Sequence, residues 1–97
     1  MGGGVAVGFR NEMKIPVVVQ GWTMVGGMKK AGMAIAIPPG KTLGEINVPA
    51  GTRYYSIYDA NNPNIVYIRD IPVPVMNSDL SFAIRGVPPK VVLQTYP

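Results

Sequence analysis

The side chains with the most chemical reach in this sequence fall into three sets. Asp59, Asn61 and Asn64 place three oxygen donors in one short polar stretch, Asp59-Ala60-Asn61-Asn62-Pro63-Asn64. Calcium takes hard oxygens, so these three are the candidate metal ligands, with Asp70 or Asp79 able to join only if folding brings them near. An EF-hand loop also needs a central glycine and a closing bidentate glutamate, and this stretch has neither. The plainer reading is an Asx-rich turn whose side chains satisfy local backbone N–H groups.

The second set is aromatic. Tyr54 and Tyr58 share one face of a strand-like run, Arg53 and Asp59 flank them, and Trp22 is the sole tryptophan. Aromatic faces suit the C–H surface of a pyranose while polar neighbours fix its hydroxyls. Tyr54, Tyr58, Arg53 and Trp22 are therefore the candidate carbohydrate site. Aromatic residues also fill half-buried strand faces, and a lone tryptophan commonly anchors a core. The third set, Met13, Met24, Met28 and Met33, offers thioethers to copper(I). Without histidine or cysteine beside them, these read instead as flexible apolar packing.

Catalytic sets are thin. The chain has 97 residues with no cysteine and no histidine, which removes the thiolate nucleophile, the imidazole base and the commonest transition-metal ligands. Five carboxylates, Glu12, Glu45, Asp59, Asp70 and Asp79, are scattered, whereas paired-carboxylate hydrolysis needs two across a cleft. No Ser-x-x-Lys occurs, and Gly26-Gly27-Met28-Lys29 lacks the spacing and following helix of a phosphate loop. The expectation is a non-enzymatic domain with no cofactor.

These residues sit on elements marked by period-two alternation and turn chemistry. Twelve glycines and ten prolines disfavour long helices and punctuate short strands. Strands are expected near 5–10, 17–24, 33–37, 43–48, 53–58, 65–69, 71–75, 80–85 and 90–95. The first two are close enough to pair as a hairpin. Gly26-Gly27 makes a turn, Lys29-Lys30-Ala31-Gly32 keeps the following segment exposed, and the phase slips at Gly44, where a bulge would fit. Pro72 and Pro74 suit a sheet edge. The fold class is all-β: a single, mainly antiparallel β-sandwich of about seven to nine short strands over residues 5–97, behind a flexible glycine-rich start at 1–4.

The layout Val7-x-Phe9-x-Asn11, Pro16-Val17-Val18-Val19, Ile37-Pro38-Pro39-Gly40, Pro49-Ala50-Gly51 and Ile57-Tyr58-Asp59-Ala60 resembles small uncharacterised bacterial β-sandwich proteins. The same order is similar to the β-domain of the von Hippel–Lindau tumour suppressor. The resemblance implies the fold and carries no activity, because fold does not fix function.

Charge and hydropathy bear on partners. Nine basic residues against five acidic give +4, but the cations are dispersed and only Lys29 and Lys30 adjoin, which argues against nucleic acid. No apolar run reaches the roughly 18–20 residues of a membrane span. Gly2 to Gly4 read as a linker standing in place of a removed leader, in which case the protein is exported or displayed on the cell surface. Hydrophobic residues make up 47% of the chain and charged ones 14%, more apolar character than a thin sandwich needs inside. Runs such as Val17-Val18-Val19 and Ile35-Ala36-Ile37 look apolar on both faces. The expected partner is a second copy of the chain, or another protein, with a carbohydrate as the alternative.

Overall fold

The computed structural model describes residues 4–96, and these fold as nine strands in two sheets. Residues 1–3 of the glycine-rich start, and residue 97, lie outside the described residues; Gly4 rests against the backbone of Val48. The strands are β1 (Val5–Asn11), β2 (Val17–Val25), β3 (Met28–Ala31), β4 (Ile35–Ile37), β5 (Thr42–Val48), β6 (Gly51–Asp59), β7 (Val66–Val75), β8 (Leu80–Val87) and β9 (Lys90–Thr95). One sheet has the order β5-β1-β8-β9; the other has β3-β2-β6-β7, with β4 beside the first half of β2. The described residues include no helix, so none is long and apolar enough to cross a membrane. The Cα envelope, 39 × 29 × 18 Å, has the thickness of two sheets stacked about 10 Å apart.

Alternation along the strands supplies the core. Val7 and Phe9 from β1, Val17 and Val19 from β2, Tyr55 and Ile57 from β6, Val73 and Val75 from β7 and Ile84 from β8 are buried between the sheets. Phe9 meets Tyr55 edge-on across the interior, with centroids 4.8 Å apart. Burying such a side chain contributes about 1.5–3 kcal/mol, and no disulfide is present to help.

The expected hairpin of the first two strands does not form: β1 and β2 belong to different sheets. The buried side chain of Asn11 turns the connection between them into a corner. Its Nδ2 donates to the carbonyls of Ile15 (2.8 Å) and Ile37 (3.0 Å), and its Oδ1 accepts from the N–H of Met13 (2.9 Å). The valines of β2 thus pack opposite those of β1 instead of beside them. β1 pairs with β5 antiparallel and with β8 in parallel, the one parallel pair among the described residues.

Three further expectations are corrected. Residues 28–31, exposed as expected but outside the expected strands, form β3, because the turn at Gly26 (φ 57°) and Gly27 (φ 78°) pairs Val25 with Met28. The slip in β5 falls at Ile46–Asn47 and not at Gly44: Val5 faces Val48 while Val7 faces Glu45, and Asn47 adopts φ 57°. Residues 65–69 and 71–75 form a single bent strand, with Arg69 and Asp70 together opposing Ser56 and Asp70 at φ 52°. That strand, β7, is a sheet edge, as Pro72 and Pro74 require.

Candidate functional site

The outer face of the second sheet carries the densest polar and aromatic grouping. Trp22 on β2 lies directly across from Tyr54 on β6, and their rings stack with centroids 4.3 Å apart and planes 17° apart. Lys29 Nζ sits over the indole at 4.8 Å. The indole Nε1 donates to Asp70 Oδ1 (2.7 Å), which also accepts from Ser56 Oγ (3.2 Å), while the Asp70 N–H donates back to Ser56 Oγ (3.0 Å). The bulge that holds Asp70 in left-handed geometry is what swings its carboxylate into this grouping. The indole hydrogen bond, with help from Ser56, Lys29 and Arg69, holds the carboxyl of Asp70 below its usual range despite some desolvation. Gln20, Trp22, Lys29, Ala31, Ser56, Arg69 and Asp70 line a cleft of about 140 Å³.

This arrangement differs from the flat platform expected from Tyr54, Tyr58, Arg53 and Trp22. The Trp22 ring is stacked between Tyr54 and Lys29, so its faces are turned to protein neighbours. Tyr58 shares the face of Tyr54 but pairs with Val18 and Val66, two residue pairs beyond Gln20 and Ser56. Arg53 points the other way, into the sandwich. The residues that do gather around Trp22 include Asp70, Ser56, Gln20 and Lys29. The sequence holds a trace of this: Ser56 lies between Tyr54 and Tyr58 on one strand face.

Arg53 belongs to an ion cluster at one side of the interior. Its Nε and Nη2 each donate to Glu45 of β5 at 2.6 Å, and its Nη1 donates to Thr23 Oγ1 at 2.6 Å. Tyr55 OH donates to Glu45 Oε1 at 2.8 Å. The two charged side chains are 11% and 13% exposed, and the bidentate pair joins the two sheets. Burial raises the carboxyl of Glu45, but hydrogen bonds from Arg53 and Tyr55 outweigh it and leave the group below its usual range. Burial, then the bond to Glu45, pushes the Tyr55 phenol well up. Gly21 and Gly32 leave room for the cluster: a Cβ on Gly21 would come within 2.6 Å of the Tyr55 ring, and one on Gly32 within 2.6 Å of Glu45 Oε2. A glycine inside a strand pattern signals such close approach, and Gly21 is that signal in β2.

The Asp59 loop uses its oxygens internally. Asp59 Oδ1 accepts from the N–H of Asn61 (2.7 Å) and of Asn62 (3.2 Å), and Oδ2 accepts from Tyr67 OH (2.8 Å). The phenol and the two amides hold the Asp59 carboxyl below its usual range. Asn64 takes part through its backbone N–H, which donates to Asn62 Oδ1 at 3.4 Å. Asp70 and Asp79 are elsewhere: Asp70 is bonded to Trp22, and Asp79 accepts from the Ala6 N–H. Among the described residues, no three His, Cys, Asp or Glu side chains are grouped to hold a metal ion. Of the methionines, Met13 is buried in the core, whereas Met24, Met28 and Met33 are exposed.

The exposed large hydrophobics have a distribution of their own. Met24, Val25 and Met28 cap the β2–β3 turn, Met33 precedes β4, Leu43 and Ile46 lie on β5, Val87 ends β8, Val92 lies on β9 and Tyr96 follows it. Ile65 and Met76 flank β7 at its two ends. The central strands β1 and β6 contribute none. Met33, Ala34, Ile35, Ala36 and Ile46 also line an open hollow of about 520 Å³ where β4 and β5 adjoin. Of the two runs expected to be apolar on both faces, Val18 is half-buried and Ala36 is exposed. No known protein family, characterised protein or solved structure matches this chain.

Proposed function

We propose that this domain is a non-enzymatic protein-interaction module that self-associates through its apolar strand edges. The observation that carries this reading is the placement of exposed apolar side chains. They occupy edge strands and strand ends, including Met33 at 84%, Ile46 at 76% and Val87 at 79% exposure. Scattered exposed apolar residues are ordinary, but groups of them mark surfaces that another molecule covers. The low charge content, 14% of residues, points the same way, since it leaves more of the surface to apolar groups. Light scattering across micromolar to near-millimolar concentration tests the proposal. A rising weight-average mass is expected; a constant monomer mass removes the reading.

A second reading, a small saccharide held at the outer face of the second sheet, is favoured by the cleft around Trp22. Gln20, Ser56, Lys29, Arg69 and Asp70 line it with both donors and acceptors, the mixture that sugar hydroxyls use. The sugar would meet the edges of the Trp22–Tyr54 stack, not an open ring face. A glycan array tests this directly: binding lost in both Trp22→Ala and Asp70→Asn supports it, and no binding by the parent chain eliminates it.

A further inference from the structure

Each sheet of a sandwich leaves two edges of unpaired backbone groups, and proteins that stay monomeric block them with prolines, bulges, charges or shortness. Here the blocks are unevenly distributed. β7 carries Pro72 and Pro74, has register breaks opposite Ser56 and at Tyr67, and bends at Asp70. Proline has no N–H to offer an incoming strand. β5 is interrupted at Ile46–Asn47, with Asn47 in left-handed geometry. β3 is four residues long with two lysines, and β4 is three residues long and runs into Pro38-Pro39.

β9 lacks all of these devices but a charge at its first residue. Its six residues, Lys-Val-Val-Leu-Gln-Thr, pair with β8 in unbroken register from Lys90↔Val87 to Thr95↔Phe82. It contains no proline and no carboxylate, and its single charge is Lys90 at the start. The direction of its free groups follows from one bond. The Tyr96 N–H donates to Ser81 O at 2.8 Å, and orientation alternates along an antiparallel ladder. Gln94 and Val92 therefore face β8, whereas Val91, Leu93 and Thr95 turn their N–H and C=O groups to the open side.

We propose that the open edge of β9 pairs antiparallel with the β9 edge of a second copy, about a two-fold axis at Leu93. This rests on the self-association reading above and names its surface and symmetry. The three outward-facing residues are spaced symmetrically about Leu93, so a two-fold axis there sets every donor against an acceptor. Leu93 meets its own copy, and Val91 meets Thr95 of the partner subunit. Strand addition of this kind supplies affinity through main-chain bonds. It also extends the half-buried row of Val91 and Leu93 and covers the exposed Val92 beside it. An isologous contact closes at two copies. Because two short strands bury less than a standard interface, the dimer is a weak, concentration-dependent one.

Sedimentation of the full chain, with amide exchange followed by NMR, tests it. Two variants probe β9: Thr95→Pro, which removes an N–H that makes no bond to β8, and Val92→Lys, which adds a charge to the exposed side. Thr42→Lys, at the exposed start of β5 on the other edge of the same sheet, is the control, and the thermal midpoint of each variant confirms folding. The parent is expected to dimerise, with amides of Val91, Leu93 and Thr95 gaining protection as concentration rises while Val92 and Gln94 are protected throughout. Thr95→Pro is expected to weaken dimerisation roughly ten- to thirty-fold, since each dimer loses two main-chain bonds, and Thr42→Lys to leave it unchanged. A parent that self-associates as tightly with both β9 substitutions overturns the β9 assignment while the broader reading stands. Open-ended assembly overturns the two-fold closure. A parent that stays monomeric overturns the broader reading, and the dimer with it.

Discussion

Glu45 accepts hydrogen bonds from two Arg53 nitrogens and from the Tyr55 hydroxyl at a position where little water reaches. Such a pair is weak evidence for net stability, but removing one member strands the other. Glu45→Ala leaves the Arg53 charge and the Tyr55 hydroxyl without their acceptor, and should cost about 3 kcal/mol at neutral pH; Glu45→Gln keeps an acceptor oxygen and should cost less. The pH dependence has a fixed sign. Because the folded carboxyl lies below its usual range, its contribution is complete above the unfolded value of about 4.3 and is lost as pH falls through the folded value. Denaturant melts should therefore show the gap between parent and Glu45→Ala closing below about pH 4. A gap that persists there would mean the side chain matters through packing and not through its charge. Asn11 acts at the same scale: three satisfied bonds from one buried amide decide which sheet β2 joins.

Among the elements, the β2–β3 hairpin depends most directly on local conformation. Gly26 and Gly27 both have positive φ and no neighbour that an added Cβ would meet, so backbone strain is the only obstacle to substitution. Replacing both by alanine should cost about 1–2 kcal/mol per residue and release β3, seen as faster exchange of the Lys29, Lys30 and Ala31 amides. Gly26→Asn should be milder, since asparagine tolerates left-handed geometry. Unchanged exchange in the double alanine variant would show that β3 is held by Trp22 and Lys29 rather than by its turn.

The strands themselves were legible in the sequence because alternation and proline or glycine punctuation are local. Tyr55 and Ile57 inward with Tyr54 and Ser56 outward follow from period two, and Pro72 and Pro74 on an edge follow from their missing N–H groups. What escaped was non-local. Arg53 and Tyr54 are neighbours in sequence, yet the pleat sends one to Glu45 inside and the other to Trp22 outside. Asp70 reached Trp22 only because a bulge changed the phase of β7, and a bulge has no period to read. The crossing at Asn11 depends on carbonyls as far away as Ile37, so the adjacent runs 5–10 and 17–24 looked like a hairpin.

For the whole molecule, two sheets joined by a buried core and the Arg53–Glu45 pair leave much of the apolar surface outside, on edges and turns. Three of the sandwich's sheet ends carry proline, bulge or extreme shortness, and the fourth, β9, carries only the charge of Lys90 at its first residue. Sedimentation equilibrium of the unmodified chain is the most direct measurement of what this surface does. The mass is expected to rise with concentration from 10.4 kDa toward twice that value and to level there. A mass that stays at the monomer value up to near-millimolar concentration would contradict it.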